Sequence, residues 1–245
     1  MNFRRMVPRE EGGGLDNALL RKLELFCSLS ADDRTALQQL LEQPHRRVTA
    51  RYDLIREGER NPFVYFFLDG WAARYKTLAD GRRQIISLFL PGDVCDAHSY
   101  LLREMDHSIG AITRLRVAAV PHAAYEELVQ NNGRLCQAMR WQELVNMAVQ
   151  REWTLNVGQR TAMERIGHFL CETFYRLEMM GLTQGNSCDF PIVQNDLADI
   201  SGLTPVHVNR TLQELRRSGL IVLENRRLTL PDRKRLEDAT MFTPN

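Results

Sequence analysis

His207, Asn209, Arg210, Gln213 and Arg217 sit within one short stretch toward the C-terminal end of the sequence. Their chemistry is that of nucleic-acid reading. Arginine matches the N7 and O6 acceptors of guanine, asparagine and glutamine match the edge of adenine, and all of these groups hold phosphate oxygens. Val208, Leu212 and Leu215 interleave with them at the spacing of a single helical stripe. The polar set therefore lies off the buried stripe, on a face left to solvent. Val206, Asn209 and Arg210, three and four residues apart, share one part of that face. A helical hairpin buried in a core would carry the same stripe without the outward set of donors.

The elements that must position these groups are two short helices and a tight turn. Asp196, Leu197, Ala198, Asp199 and Ile200 carry a helical pattern that stops at Ser201-Gly202, where glycine can take the left-handed conformation. A second helix, Thr204–Ser218, starts with the Thr204 hydroxyl as N-cap and Pro205 at the first helical position. Ala198 is small enough to let the two helices cross closely, and Val208 fills the angle between them. This is the pattern of a helix-turn-helix, whose second helix enters the major groove. The residues Leu220-Ile221-Val222-Leu223, a turn at Glu224-Asn225-Arg226, and Arg227-Leu228-Thr229-Leu230 then predict a hairpin ending at Pro231, the wing of a winged helix.

Whole-chain composition hides this. The 245 residues carry a net charge of +1, with 44% hydrophobic and 26% charged residues, an ordinary globular balance. The basic charge is local. Arg210, Arg216, Arg217, Arg226, Arg227, Arg233, Lys234 and Arg235 face only Glu214, Glu224 and Asp232 in the segment expected against DNA. Five scattered cysteines (Cys27, Cys95, Cys136, Cys171 and Cys188) do not suggest a disulfide framework and point to a reducing cytoplasm. The N-terminal residues, ending in Gly12-Gly13-Gly14, read as a mobile arm rather than a signal peptide. No apolar run approaches a membrane-spanning length, so no membrane partner is expected.

Upstream, helices are expected over Leu15–Leu25 and from Ser30, which with Asp33 makes a capping-box variant. From Arg46 the period changes to that of strands: Val48–Ile55, Phe63–Leu68, Trp71–Lys76, Ile85–Leu90, Ala111–Thr113 and Leu115–Val120. Turn glycines at Gly58, Gly70, Gly81 and Gly92 recur at the rhythm of short antiparallel strands. A β-roll over residues 20–122 is predicted. A long helix over 134–157 follows, with Gly158 at its C-terminal end. Leu135, Met139, Val149 and Trp153 line one side, interrupted by Gln142 and Asn146. That side can pack on the roll. It can also serve as a self-pairing seam, with Asn146 as the polar residue that fixes register. Thr161-Ala162-Met163-Glu164 is a capping box that opens a new helix toward Gly181, leaving Asn156–Arg160 as a hinge. A linker, Thr183–Pro191, leads into the helix-turn-helix. The expected domains are thus 1–157, a roll with its long helix, and 158–245, the winged helix; the fold class is α+β.

The stretch QNDLADISGLTPVHVNRTLQELRRSGLI resembles the DNA-binding domain of the CRP/FNR family of bacterial transcription regulators, and the looser upstream likeness covers about residues 20–240. The resemblance implies that the β-roll is an antiparallel jelly roll of the cyclic-nucleotide-binding type. It implies a homodimer paired along the long helix, whose hinge transmits an effector signal. It also implies a two-fold symmetric operator in double-stranded DNA, and RNA polymerase as a partner if the protein activates. The DNA-contacting set expected on this basis is Gln194, Thr204, Val206, His207, Asn209, Arg210, Gln213, Arg217 and Arg226. The dimerisation set is Leu135, Met139, Asn146, Val149 and Trp153. Arg210 matches the family's base-reading arginine. Val206 stands where the family commonly has a glutamate that accepts from a cytosine amino group; valine accepts nothing but can pack against a thymine methyl.

In the family's nucleotide pocket, a Gly-Glu pair follows a PGD-like turn and an Arg-Ser pair follows about ten residues later. Here the turn is Pro91-Gly92-Asp93, but those positions read Asp96-Ala97 and His107-Ser108. The ribose acceptor and the phosphate clamp are both missing, and Asp96 and Asp106 repel a phosphate. Cyclic nucleotide is therefore not expected. Nor is an iron–sulfur cluster, since only Cys27 lies near the N-terminus. The candidate effector-binding residues are Cys95, Asp96, His98, His107 and Ser108. Cys95 and His98, with His107 later, could instead ligate a metal or haem, or make the regulator redox-responsive, although no complete ligand set is visible and no metal is assigned. Two further readings remain: an effector-sensing adaptor whose winged helix binds protein, and an enzyme on a cupin-like roll. The basic wing argues against the first. Against the second stand the shortage of histidines and the absence from the sequence of a Gly-rich phosphate loop or nucleophile elbow. No catalytic residue is expected.

Overall fold

The computed structural model describes residues 17–95 and 97–244, so the expected N-terminal arm and Asp96 lie outside the described residues. The chain divides into two compact units, one ending at Ala148 and the other beginning at Val149. The division falls inside the long helix rather than at its end near residue 157.

The N-terminal unit opens with α1 (Asn17–Glu24) and α2 (Ala31–Leu41). The capping box at α2 is real: Ser30 Oγ accepts from the Asp33 N–H, and Asp33 accepts from the Ser30 N–H. Eight strands follow: β1 (His45–Val48), β2 (Asp53–Ile55), β3 (Phe63–Asp69), β4 (Ala72–Thr77), β5 (Arg83–Phe89), β6 (Val94–Cys95), β7 (Ser108–Ala111) and β8 (Leu115–Pro121). They form two antiparallel four-stranded sheets, ordered β1-β8-β3-β6 and β2-β7-β4-β5. β3 reads as a continuous apolar run because both of its faces are covered. Tyr65 and Phe67 point into the roll, while Val64 and Phe66 pack under helices together with Leu23, Leu37, Leu128, Leu135 and Met139.

Two expected strands need correction. The run Val48–Ile55 is not one strand: it breaks at Thr49–Tyr52, where Arg51 adopts φ 70° and the chain passes from one sheet to the other. A continuous strand cannot serve both layers of a sandwich without such a corner. The strand expected at Ala111–Thr113 lies at Ser108–Ala111, since its pairing with β4 (Ala72↔Ala111, Tyr75↔Ser108) ends at Ala111.

The Pro91-Gly92-Asp93 turn is built into the unit's interior. Gly92 adopts φ 88°, and a Cβ there would lie 2.9 Å from the Ala18 backbone, so only glycine lets α1 approach. Asp93 accepts from the Leu90 N–H at 2.7 Å and pairs with buried Lys22 of α1. Gln142, the residue that interrupts the long helix's stripe, completes this node: its carbonyl, in the amide orientation that satisfies it, accepts from Lys22 Nζ at 3.1 Å and from the Val94 N–H at 3.2 Å.

After α3 (His122–Asn131), α4 runs unbroken from Gly133 to Gln159. Gly158 is therefore helical and does not terminate it. The expected hinge contracts to Arg160 alone, because Asn156 is buried and donates to the Arg165 carbonyl at 3.1 Å. On the stripe expected both to pack on the roll and to pair with a twin, Leu135 and Met139 belong to the core of the roll unit. Trp153 is buried, donating from Nε1 to Glu172 Oε2 at 2.8 Å within the C-terminal unit. On that stripe Asn146 is exposed and Val149 half-buried.

The C-terminal unit holds α5 (Ala162–Met179), β9 (Thr183–Gln184), β10 (Ser187–Asp189), α6 (Gln194–Ser201), α7 (Pro205–Arg217), β11 (Val222–Glu224), β12 (Arg227–Thr229) and α8 (Arg233–Ala239). The Thr161–Glu164 capping box is formed. The expected linker at 183–191 is a hairpin instead. β10 pairs with β12, giving a sheet ordered β11-β12-β10-β9, so the wing is half of a larger sheet. α8, absent from the expectations, docks on α5. A Cβ on Gly167 would lie 2.3 Å from the Thr240 side chain, so glycine makes room for it.

Candidate nucleic-acid interface

α6 and α7 meet at the turn that the sequence predicts. Gly202 takes the left-handed conformation at φ 65°, and its N–H returns to the Ala198 carbonyl. Asp196 accepts from the Val193 N–H at 3.3 Å to fix the start of α6. The Thr204 hydroxyl caps α7 by accepting from the His207 N–H at 3.3 Å. Val208, Thr211, Leu212 and Leu215 of α7 are buried. Everything expected to read DNA on this helix lies on the other side: Val206, His207, Asn209, Arg210, Gln213 and Arg217 are all exposed. Val206 is 81% exposed, an unusual position for a valine that nothing in the fold uses.

The turn between β11 and β12 consists of Asn225 and Arg226 at φ 50° and 58°, the paired left-handed conformations of a tight hairpin. This projects the Arg226 side chain from the wing tip, exposed. Gln194 is exposed at the first position of α6. Among the described residues, Arg210, Arg217 and Arg226 have no carboxylate partner, which leaves three guanidiniums available for phosphates or bases.

The expected basic surface shrinks elsewhere. Arg233 forms a fork with both carboxylate oxygens of Glu178, at 2.7 and 2.8 Å, and lies over the Phe174 ring. Lys234 pairs with Asp238 at 2.5 Å. Arg227 donates to Gln184 at 2.7 Å and lies 3.6 Å from Asp189. Arg216 donates to the Leu223 carbonyl at 3.1 Å. Arg233 and Arg227 tie separate elements of the domain together through partners too far off in sequence for charge counting to find, whereas Lys234 meets a carboxylate on its own helix.

Two features beneath the helices escaped the sequence reading. Arg165 donates to the Ser201 carbonyl at 2.6 Å and the Arg160 carbonyl at 3.0 Å, tying the turn of the helix-turn-helix to the α4–α5 junction. Burial lowers its affinity for the proton. Glu172, buried between Trp153 and Arg176, has its carboxyl pushed up by desolvation, an effect that Arg176 opposes. The contacts of Arg165 with Ser201 and of Glu172 with Trp153 have no local sequence signature, since each joins residues far apart in the chain.

Among the described residues, the candidate effector residues do not come together as a ligand set. Cys95 is buried in the apolar interior of the roll, beside Tyr65 of the neighbouring strand. His98 is half exposed and pairs with Glu143 of α4 at 3.2 Å. His107 is buried, receiving a bond from Arg74 Nε at 3.0 Å and lying 2.7 Å from Asp106. That His107 contact holds the Asp106 carboxyl below its usual range. Ser108 accepts from the Glu57 N–H at 2.9 Å. Asp96 lies outside the described residues. Ala97 is buried in the helical core of the unit.

Residues 164–239 match the Crp-like helix-turn-helix domain, and residues 45–132 match the cyclic nucleotide-binding domain. The transcriptional activatory protein AadR of Rhodopseudomonas palustris is 30% identical over 227 residues, covering 91% of this chain and 89% of that protein. The chain belongs to the CRP/FNR family. The transcriptional activator protein FnrL of Cereibacter sphaeroides is 28% identical over 85% of this chain and 84% of its own length. Among solved structures, FixK2 from Bradyrhizobium japonicum superposes with a TM-score of 0.71 at 25% identity, covering 82% of this chain and 98% of that one. As a CRP/FNR protein this chain is a DNA-binding transcription regulator. The family's members are regulators rather than enzymes, and no helix of the described residues is long and apolar enough to cross a membrane.

Proposed function

We propose that this protein acts in the cytoplasm as a homodimer on a two-fold symmetric operator, laying α7 in the major groove of each half-site and Arg226 of the wing on the flanking backbone. The observation that carries this reading is the outer face of α7, where Arg210 and Arg217 stand exposed, without carboxylate partners among the described residues, beside an exposed valine. Arg210 reads a guanine, and Val206 packs on a thymine methyl where the family's glutamate would accept from cytosine. The relatives' names favour activation, with RNA polymerase as the partner at the promoter.

The dimer seam follows the outer side of α4. Its inward face is already used in the two cores, while Leu144, Met147, Ala148 and Leu155 recur on the opposite side at helical spacing, with Leu144, Met147 and Leu155 exposed. Control by a cyclic nucleotide is not part of this reading. Where the family's pocket would be, Phe67 and Phe89 stack at 4.8 Å inside the roll, and His107 is held by Arg74 and Asp106. A metal- or redox-responsive site on Cys95 and His98 is not favoured either, because one is buried in the core and the other pairs with Glu143.

Selection of bound duplexes from a random pool at fixed salt tests the reading. The expected outcome is two inverted half-sites, centred about one helical turn or a multiple of it apart. Enrichment of a single unpaired site, or of no sequence, would refute it.

A further inference from the structure

Within the segment between β6 and β7, where a nucleotide-binding member of this fold would carry its ligand loop, residues 100–102 are apolar and outward-facing. The segment is firmly seated. Ala97 and Ser99 are buried, and the Ser99 hydroxyl lies 3.3 Å from both the Asn61 amide and His122 Nε2. The Tyr100 ring lies 5.3 Å from that of His122, and its hydroxyl bonds to Glu126 of α3. From this anchored base, three consecutive large apolar side chains face solvent: Tyr100 is 45%, Leu101 73% and Leu102 49% exposed. A segment so well held has no need to expose them for want of a place to pack, and an apolar patch of this kind on a soluble protein marks an interaction surface.

Its position says what it meets. His98, two residues before Tyr100, pairs with Glu143 of α4 at 3.2 Å. Met147, 57% exposed, lies one helical turn beyond Glu143, and Leu144, 62% exposed, is the next residue in the chain. Loop and helix therefore expose apolar side chains on either side of the His98–Glu143 pair within the N-terminal unit, next to the α4 face assigned above to dimerisation. The geometry points to a second copy of this chain as the occupant: Leu101 and Leu102 of one protomer pack against Leu144 and Met147 of its twin. Two-fold symmetry makes the contact occur twice in each dimer. The segment that in a nucleotide-binding relative would hold a ligand here supplies the protein surface directly, so that pairing requires no small molecule. This inference rests on the α4 seam proposed above.

Sedimentation of the full-length chain without added ligand tests it, using Leu101→Asp, Met147→Asp and, as a control, Leu78→Asp at an exposed leucine on the β4–β5 turn. Circular dichroism verifies that each variant is folded. Leu101→Asp is expected to weaken dimerisation by about 100-fold, because the charge enters two desolvated contacts at once, and Leu78→Asp to leave it unchanged. A photo-crosslinker at Leu101 is expected to join two chains through a peptide of α4. If Met147→Asp gives monomers while Leu101→Asp dimerises as tightly as wild type and the crosslink stays within one chain, the loop assignment is overturned and the helical seam survives. If Met147→Asp also leaves the dimer intact, the seam itself is wrong. Should Leu101→Asp not fold, the crosslink in the otherwise native chain decides.

Discussion

Val206 offers the sharpest test of how this protein reads its operator. Its side chain is 81% exposed in the free protein, so shortening it removes no packing from the fold, and alanine is the better helix former. The whole effect of Val206→Ala should therefore appear in binding. If the valine lies on a thymine methyl, replacing that thymine by uracil removes one buried methyl, which costs about 0.8 kcal/mol, or about fourfold in affinity. With both half-sites replaced, the wild-type protein should lose about 1.6 kcal/mol, or about 15-fold. Val206→Ala should respond to the same replacement by less than about threefold, because the partner surface has gone. Fluorescence anisotropy at constant salt, with each symmetry-related pair of thymines replaced in turn, gives the cycle. The reasoning fails if every thymine position costs the variant as much as the wild type, since no methyl would then be coupled to this side chain.

Arg210→Ala should lose about 1–3 kcal/mol, concentrated at one base pair in each half-site; equal losses on matched and mismatched duplexes would make the arginine a phosphate contact. Arg226→Gly removes the wing-tip cation at a position whose φ of 58° suits glycine. It should weaken all sequences alike and flatten the salt dependence by about one unit of slope per half-site, a change read from binding across a salt series. The third concerns acid stability. His168 is buried beside Glu152 and Phe242, and its pKa is pushed down to about 4, chiefly by burial. The folded state thus keeps a neutral ring while the unfolded chain takes up a proton below about pH 6.5, so stability is full above that pH and falls as pH drops toward 4. His168→Phe should flatten urea stability between pH 6.5 and 4 by up to about 1.4 kcal/mol per pH unit, and identical slopes in variant and wild type would exclude this histidine as the cause.

What could be read in advance was whatever short-range chemistry dictates. Thr204 and Pro205 open α7, Gly202 turns the chain, and Thr161 with Glu164 caps α5, because a cap or a left-handed turn is satisfied within a few residues. The glycine rhythm of the roll was legible for the same reason. The orientation of α4 was not. It carries apolar residues on both sides, and only the packed structure shows that Leu135 and Met139 are spent inward, leaving Leu144 and Met147 outward. The linker that proved to be β9 and β10 was hidden because its partner, β12, comes some forty residues later in the chain. Charge was misleading where tertiary contacts consume it, as Glu178 consumes Arg233.

The sheet β11-β12-β10-β9 has a consequence for how the protein comes off the ribosome. The strands that frame the helix-turn-helix lie on either side of it in sequence, so α6 and α7 form the contents of a loop that closes only when β12 meets β10. α8 then seats Thr240 against Gly167. A nascent chain that has emerged as far as Arg217 already carries every side chain proposed to read bases, yet has nothing to lay them across. A nonsense mutation after Ile221 would leave the recognition sequence intact and remove the frame that aims it.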